Sequence, residues 1–201
     1  MKQPLGLILA GGRATRMGGG DKGRLRLGGR TLFDHVLDRI APQVAGLALN
    51  ANGDASRFDD LGLPILPDSV GDFPGPLAGV LAGLDWAAGQ GADTIVTVAA
   101  DTPFFPEDLV PRLLLAAEGM AAPLALAASA EDGRTLRHPT FGLWPTALRD
   151  DLRAALAAGT RKVVAWTDPH GARAAVFPSG AVDPFFNVNT PDDLARAEAL
   201  Q

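Results

Sequence analysis

The residues of this chain whose types and spacing could do chemistry are concentrated between Leu7 and Lys22, in the stretch LILAGGRATRMGGGDK. Gly11 and Gly12 let the backbone turn sharply after an apolar run and approach a ligand closely, and amide groups in such a turn can cradle phosphate oxygens. Arg16 and Lys22 set positive charge on either side of Gly18, Gly19 and Gly20, which suits the several negative charges of a triphosphate. A second reactive group lies far downstream. The β-branched run from Asp93 to Val98 reads as a central parallel strand buried on both faces, and it ends in Ala99-Ala100-Asp101. A carboxylate just past the carboxyl end of such a strand faces the ligand crevice, where it can hold magnesium against phosphate oxygens.

These groups need elements to position them. Leu5, Leu7, Ile8 and Leu9 form a buried first strand. Arg24-Leu25-Arg26-Leu27 alternates as a short half-exposed strand, and Gly28-Gly29 turns it into a helix capped by Thr31 with Asp34 three residues on. Leu32, Phe33, Val36, Leu37 and Ile40 make that helix's apolar stripe before Pro42 ends it. Val44 to Leu49 is the second strand, which leaves Asn50 at its carboxyl end with an amide to offer the crevice. Ile65-Leu66 is a very short strand, and Pro76 opens a helix that Gly89 closes. Beyond Asp101, Pro106 to Leu109 starts a helix that Pro111 is expected to kink or restart. Strands follow at Leu124 to Ala127, Phe141 to Trp144 and Ala174 to Phe177, a helix at Thr146 to Ala158, and a packing segment at Val163 to Trp166. Thr190 as N-cap, Pro191 and Asp193 open the closing helix. This order predicts one α/β domain over 1–201, a three-layer, mostly parallel Rossmann-like sheet with helices on both faces.

Composition narrows the chemistry. There is no cysteine among the 201 residues, which excludes thiolate catalysis, disulfides and Cys-based metal centres. The N-terminus lacks the apolar run of a signal peptide and no stretch is long enough to span a membrane, so a cytoplasmic protein is expected. Net charge is −5, yet residues 13–30 carry a local balance of +5 against −10 elsewhere. That pattern points to a small anionic partner, with no nucleic acid and no membrane. Neither the P-loop nor the dinucleotide fingerprint GxGxxG is present.

The ordered set Leu9-Ala10-Gly11-Gly12, Arg16-Met17-Gly18 and Asp21-Lys22 resembles the LAGGxxxRMGxxDK signature of the GTA-like nucleotidyltransferases, specifically the molybdenum cofactor guanylyltransferases. Gly75-Pro76-Leu77-Ala78-Gly79 is similar to their GPLAG segment, Asp101-Thr102-Pro103 to their DxP motif, and Phe185 to Leu194 to their FxNVNTPxDL segment. The likeness runs from Leu9 to Leu194 and implies a nucleotide-diphospho-sugar transferase-like fold that moves GMP from GTP to molybdopterin, releasing pyrophosphate.

The resemblance also assigns roles. It implies Arg16, Lys22 and Asp101 as catalytic residues, with magnesium (Mg2+) on Asp101. It implies GTP contacts at Leu9, Ala10, Gly11, Gly12, Lys22, Asn50, Asp68 and Asp101, and pterin contacts at His138, Asn187 and Asn189. Residues 1–101 then form a GTP-binding half and residues 102–201 an acceptor half. GTP and molybdopterin or its molybdenum form are the expected substrates. Contact with molybdenum-cofactor biosynthesis proteins or acceptor enzymes, and a monomer or weak oligomer, are also expected. Related cytidylyltransferases carry LAAG at the loop, and sugar-phosphate nucleotidyltransferases carry a larger acceptor domain than 201 residues allow. A catalytically silent nucleotide-binding module would have no use for Asp101.

Overall fold

Side-chain alternation along the first strand, β1 (Leu5–Leu9), decides the layering of the computed structural model, which describes residues 2–11, 21–71, 75–131, 134–178 and 183–200. Ile8 points into one apolar cluster with Phe33, Val36, Leu49, Val96, Val98, Leu109 and Phe141. Leu7 points into another with Leu77, Leu81, Leu84, Ile95, Trp144, Leu152 and Leu156. Both faces of the strand are therefore dry, as its unbroken apolar run requires.

The central sheet uses β1 together with β4 (Leu47–Asn50), β5 (Ile65–Leu66), β6 (Thr94–Ala99), β7 (Ala125–Glu131), β8 (Arg134–Pro145) and β9 (Arg173–Pro178). Its order is β5-β4-β1-β6-β8-β7-β9, while β2 (Arg26–Leu27) and β3 (Arg30–Thr31) form a separate hairpin. Pairings β4–β5, β1–β4, β1–β6 and β7–β9 are parallel, and only β8 runs against its neighbours. The first core is covered by α1 (Leu32–Ile40) and α3 (Leu109–Ala116), the second by α2 (Pro76–Gly89) and α4 (Arg149–Ala157), with α5 (Val163–Thr167) packed at its edge. The closing helix α6 (Pro191–Glu198) lies against the hairpin through a small cluster of Leu27, Leu32, Val188 and Ala197. The predicted three-layer, mostly parallel α/β fold is the fold observed.

Two helix starts follow their sequence signals in full. Thr31 and Asp34 form a reciprocal capping box, as do Thr190 and Asp193. The expected kink at Pro111 does not occur: Pro111 is the third residue of α3, where its missing N–H would have had no intrahelical partner. The N–H just before it, on Val110, donates instead to Gln43 Oε1 at 2.9 Å. The second strand is shifted relative to expectation, starting at Leu47 and including Asn50. The strands around the 131–134 hairpin are longer than their apolar runs, and Val163–Thr167 is a short helix.

Candidate active site

Register sets the site's location. In the sheet, Leu9 lies between Asn50 of β4 and Ala99 of β6. The backbone that leaves these strands stays joined, with Ala10 N donating to Asn50 O at 2.9 Å and Ala100 N to Leu9 O at 3.1 Å. Leu9, Ala10, Asp21, Lys22, Gly23, Ala100 and Asp101 line one concavity at these carboxyl ends, the edge where open α/β sheets bind ligands.

Lys22 enters from a 3-10 turn over Lys22–Arg24. That turn sits low because Gly23 has no side chain: a Cβ there would fall 2.4 Å from the Phe33 ring. Lys22 Nζ lies 3.3 Å from Asp101 Oδ2 and also donates to Asn189 Oδ1. Both partners of the ion pair are mostly covered, at 20% and 22% exposure, so their charges are less screened than surface charges. The strand-end carboxylate and the loop lysine, chosen from sequence for separate reasons, therefore meet.

The Phe185–Asn189 segment closes this cluster. Val188 N donates to Asp101 O at 2.8 Å, and the buried Thr102 hydroxyl donates to Asn187 Oδ1. Thr102 was not singled out from sequence as a site residue, and its place between Asp101 and Pro103 was the available signal. Asn187 and Asn189 thus stand beside Asp101 and Lys22. His138 is one packing layer away, stacked on Phe185 at 4.2 Å between ring centroids and sharing a 2.8 Å hydrogen bond with Ser129. Burial pushes its imidazole below the ordinary value of 6.5, against an opposing pull from Asp183.

A second polar group lies on the β4 side. Asp68 accepts from Asn50 Nδ2 at 2.9 Å on one oxygen and from Asn52 Nδ2 at 2.8 Å on the other, while Asn52 Oδ1 takes the Asp68 N–H. The carboxylate is thereby fixed in direction. Asn50 itself is buried and fits only because α2 presents Gly79 to it, since a Cβ there would lie 2.2 Å from Asn50 Oδ1 and 2.9 Å from Leu9 Cδ2. The GPLAG segment is in this way locked to the sheet end. Gly12 and Arg16 lie outside the described residues.

Asp101 offers a hard oxygen donor, and no group of three or more His, Cys, Asp or Glu that could hold a metal occurs among the described residues. One carboxylate completed by water and substrate phosphate is a donor set that suits magnesium. Arg24, at the end of the Lys22 turn, pairs with Asp60 at the exposed surface.

A concavity at the carboxyl ends of β1, β4 and β6, with a lysine and an aspartate paired in it, places the candidate site where Rossmann-like α/β proteins bind their ligands. The profile of the MobA-like NTP transferase domain matches residues 6–173, and the chain belongs to that family. It is 54% identical over 196 residues to the molybdenum cofactor guanylyltransferase of Cereibacter sphaeroides, covering 97% of this chain and 95% of that one. It is 52% identical over 198 residues to the Bradyrhizobium molybdenum cofactor guanylyltransferase, covering 97% and 92%. Among solved structures, the molybdopterin-guanine dinucleotide biosynthesis protein A of Archaeoglobus fulgidus shares the fold at a TM-score of 0.71 and 24% identity, covering 98% of this chain and 97% of that one. The 2-C-methyl-D-erythritol 4-phosphate cytidylyltransferase of Thermus thermophilus matches with a TM-score of 0.70 and 25% identity, covering 100% and 98%.

Proposed function

We propose that the protein transfers GMP from GTP to the terminal phosphate of molybdopterin, with or without molybdenum bound, forming a guanine dinucleotide cofactor. An acceptor phosphate oxygen attacks the α-phosphorus of GTP, the bond from that phosphorus to the β-phosphate bridging oxygen breaks, and pyrophosphate leaves. No protein nucleophile is needed, in keeping with a chain that has no cysteine. The observation that carries the reading is the Lys22–Asp101 pair at the joined ends of β1 and β6, in a chain half identical to guanylyltransferases.

In this reading the protein works by position and charge. Leu9, Ala10, Gly11 and Gly12 contact the triphosphate, and Lys22 and Arg16 neutralise it. Magnesium on Asp101 would supply positive charge against the phosphate oxygens. Asn50 and Asp68 hold the nucleoside, Asp68 through oxygens already aimed by Asn50 and Asn52. Residues 1–101 carry GTP and residues 102–201 the acceptor, through His138, Asn187 and Asn189, with Asn189 touching both sides because it accepts from Lys22. A cytoplasmic site of action and passing contact with acceptor enzymes go with these substrates.

The test is to incubate the purified protein with magnesium, molybdopterin and each nucleoside triphosphate in turn, measuring pyrophosphate and the dinucleotide product. Turnover with GTP alone is expected. Turnover with CTP alone would make the protein a cytidylyltransferase of the same fold, and nucleotide binding without product would make it a binding module.

A further inference from the structure

Arg57 belongs to no motif considered above, yet its guanidinium joins the start of the Lys22 turn to the Asn52–Asp54 loop. Nη1 donates to both oxygens of Asp21, at 2.8 and 3.0 Å, Nη2 to Asn52 O at 2.7 Å, and Nε to Asp54 O at 3.0 Å. Its charged carbon lies 4.9 Å from the centroid of the Phe58 ring, so the plane is backed by an aromatic surface as well. A guanidinium with every nitrogen engaged and one face stacked is fixed in place.

The segments it joins are the ones whose relative placement a nucleotide would read. Asp21 immediately precedes Lys22 and begins the 3-10 turn that aims it. Asn52 holds Asp68 through its side chain while its carbonyl is held by Arg57. A reciprocal pair strengthens the clasp: Arg24, at the end of the Lys22 turn, donates to Asp60 and to the carbonyl of Arg57. The 3-10 helix Ala55–Leu61 is thus tied to the lysine turn on both sides of Lys22.

We propose that Arg57 is a positioning residue for GTP: by holding Asp21 and the Asn52 carbonyl at once, it fixes the distance between the phosphate-binding Lys22 and the nucleoside-binding Asp68. This rests on the GTP reading above. Arg57 touches no substrate in this scheme and acts through Lys22.

Calorimetric titration of the full-length protein with GTP and magnesium tests it. Arg57→Ala should weaken GTP affinity by about tenfold, within the range typical of coupling between sites. Arg57→Lys should restore little of it, because one ammonium cannot span the three acceptors. In a Lys22→Ala background the same Arg57→Ala change should cost less than about twofold, because residues that act through one another are not additive. Asp21→Asn, which cuts the clasp from its other end, should behave like Arg57→Ala, and thermal unfolding of each variant separates weakened binding from lost fold. Wild-type affinity in Arg57→Ala or in Asp21→Asn overturns the proposal, and so does an equal loss with and without Lys22. Failure of the wild-type protein to bind GTP overturns the function proposed above together with this role; GTP binding that Arg57→Ala leaves unchanged overturns this role alone.

Discussion

Lys22 Nζ and Asp101 Oδ2 lie 3.3 Å apart although 79 residues separate them in sequence. The pair is formed by the end of one loop and the end of one strand, and Asn189 supplies the lysine's third-segment partner. Charge at this point is therefore shared among side chains before any nucleotide arrives, and changing one member alters what the others can offer.

Asp101→Asn should abolish nucleotidyl transfer and leave the fold intact, since the substitution removes the charge and keeps the shape. Pyrophosphate release and circular dichroism check the two halves of that statement, and a fully active variant would refute the assignment of Asp101 to the metal. Lys22→Ala should lower both GTP affinity and turnover by removing a charge-assisted contact.

Asn187 and Asn189 should separate when each is changed to Ala. Asn187 accepts from Thr102 and does not contact Lys22 in the described hydrogen bonds, so its loss should weaken molybdopterin binding by about 1 kcal/mol per hydrogen bond lost and leave GTP binding nearly unchanged. Asn189 accepts from Lys22, so its loss should disturb both ligands. Equilibrium titrations of each variant with each ligand give the answer, and a fall confined to GTP in Asn187→Ala would reverse the division between the two halves of the chain.

Gly79→Ala should be among the most damaging single-methyl additions in the molecule. The new Cβ would sit 2.2 Å from Asn50 Oδ1 and 2.8 Å from its Cγ, while Leu9 closes the other side at 2.9 Å. Overpacking of this sort costs about 1–3 kcal/mol, and relief requires Asn50 to leave Asp68. A lowered unfolding midpoint together with weakened GTP binding is expected. Unchanged GTP affinity would show that Asn50 does not contribute to the nucleoside site.

The capping boxes at Thr31 and Thr190 were legible because capping is local: three residues of spacing state the whole interaction. The buried strands β1 and β6 were legible for the same reason, each being a continuous apolar or β-branched run. What sequence could not show was pairing at long range. Nothing near Asn189 in the chain indicates that its amide meets Lys22, and Arg57 resembles any exposed arginine until Asp21 and Asn52 fold against it. The reversed direction of β8 was also invisible, because its apolar residues would suit either orientation. Pro111 misled for a positional reason, since a proline breaks a helix beyond its first turn, where the N–H it lacks would have been used and its ring meets the carbonyl four residues back.

His138 gives the protein a pH dependence of its own. Burial holds its folded-state pKa below the ordinary 6.5, so the unfolded chain binds the proton more readily than the folded one. Its contribution to stability is complete above about 6.5 and is lost as pH falls from there through the depressed folded value. Thermal midpoints measured downward from neutrality should decline across that window, and His138→Gln should flatten the decline there. Loss of stability that begins only in the carboxylate range, near 4 and below, would assign it to groups such as Asp34 and Asp60, whose hydrogen-bonded carboxyls lie below the ordinary 3.8.

The partners of Lys22 also arrive at different times. Every strand of the sheet is complete by Pro178, whereas the amide that meets Lys22 comes with Asn189, and the backbone that fastens Asp101 comes with Val188. Synthesis makes every one of these strands before it makes this closing segment. The aspartate and lysine therefore take their final partners from a late part of the chain that belongs to no strand, so the site is completed by residues that the sheet itself does not use.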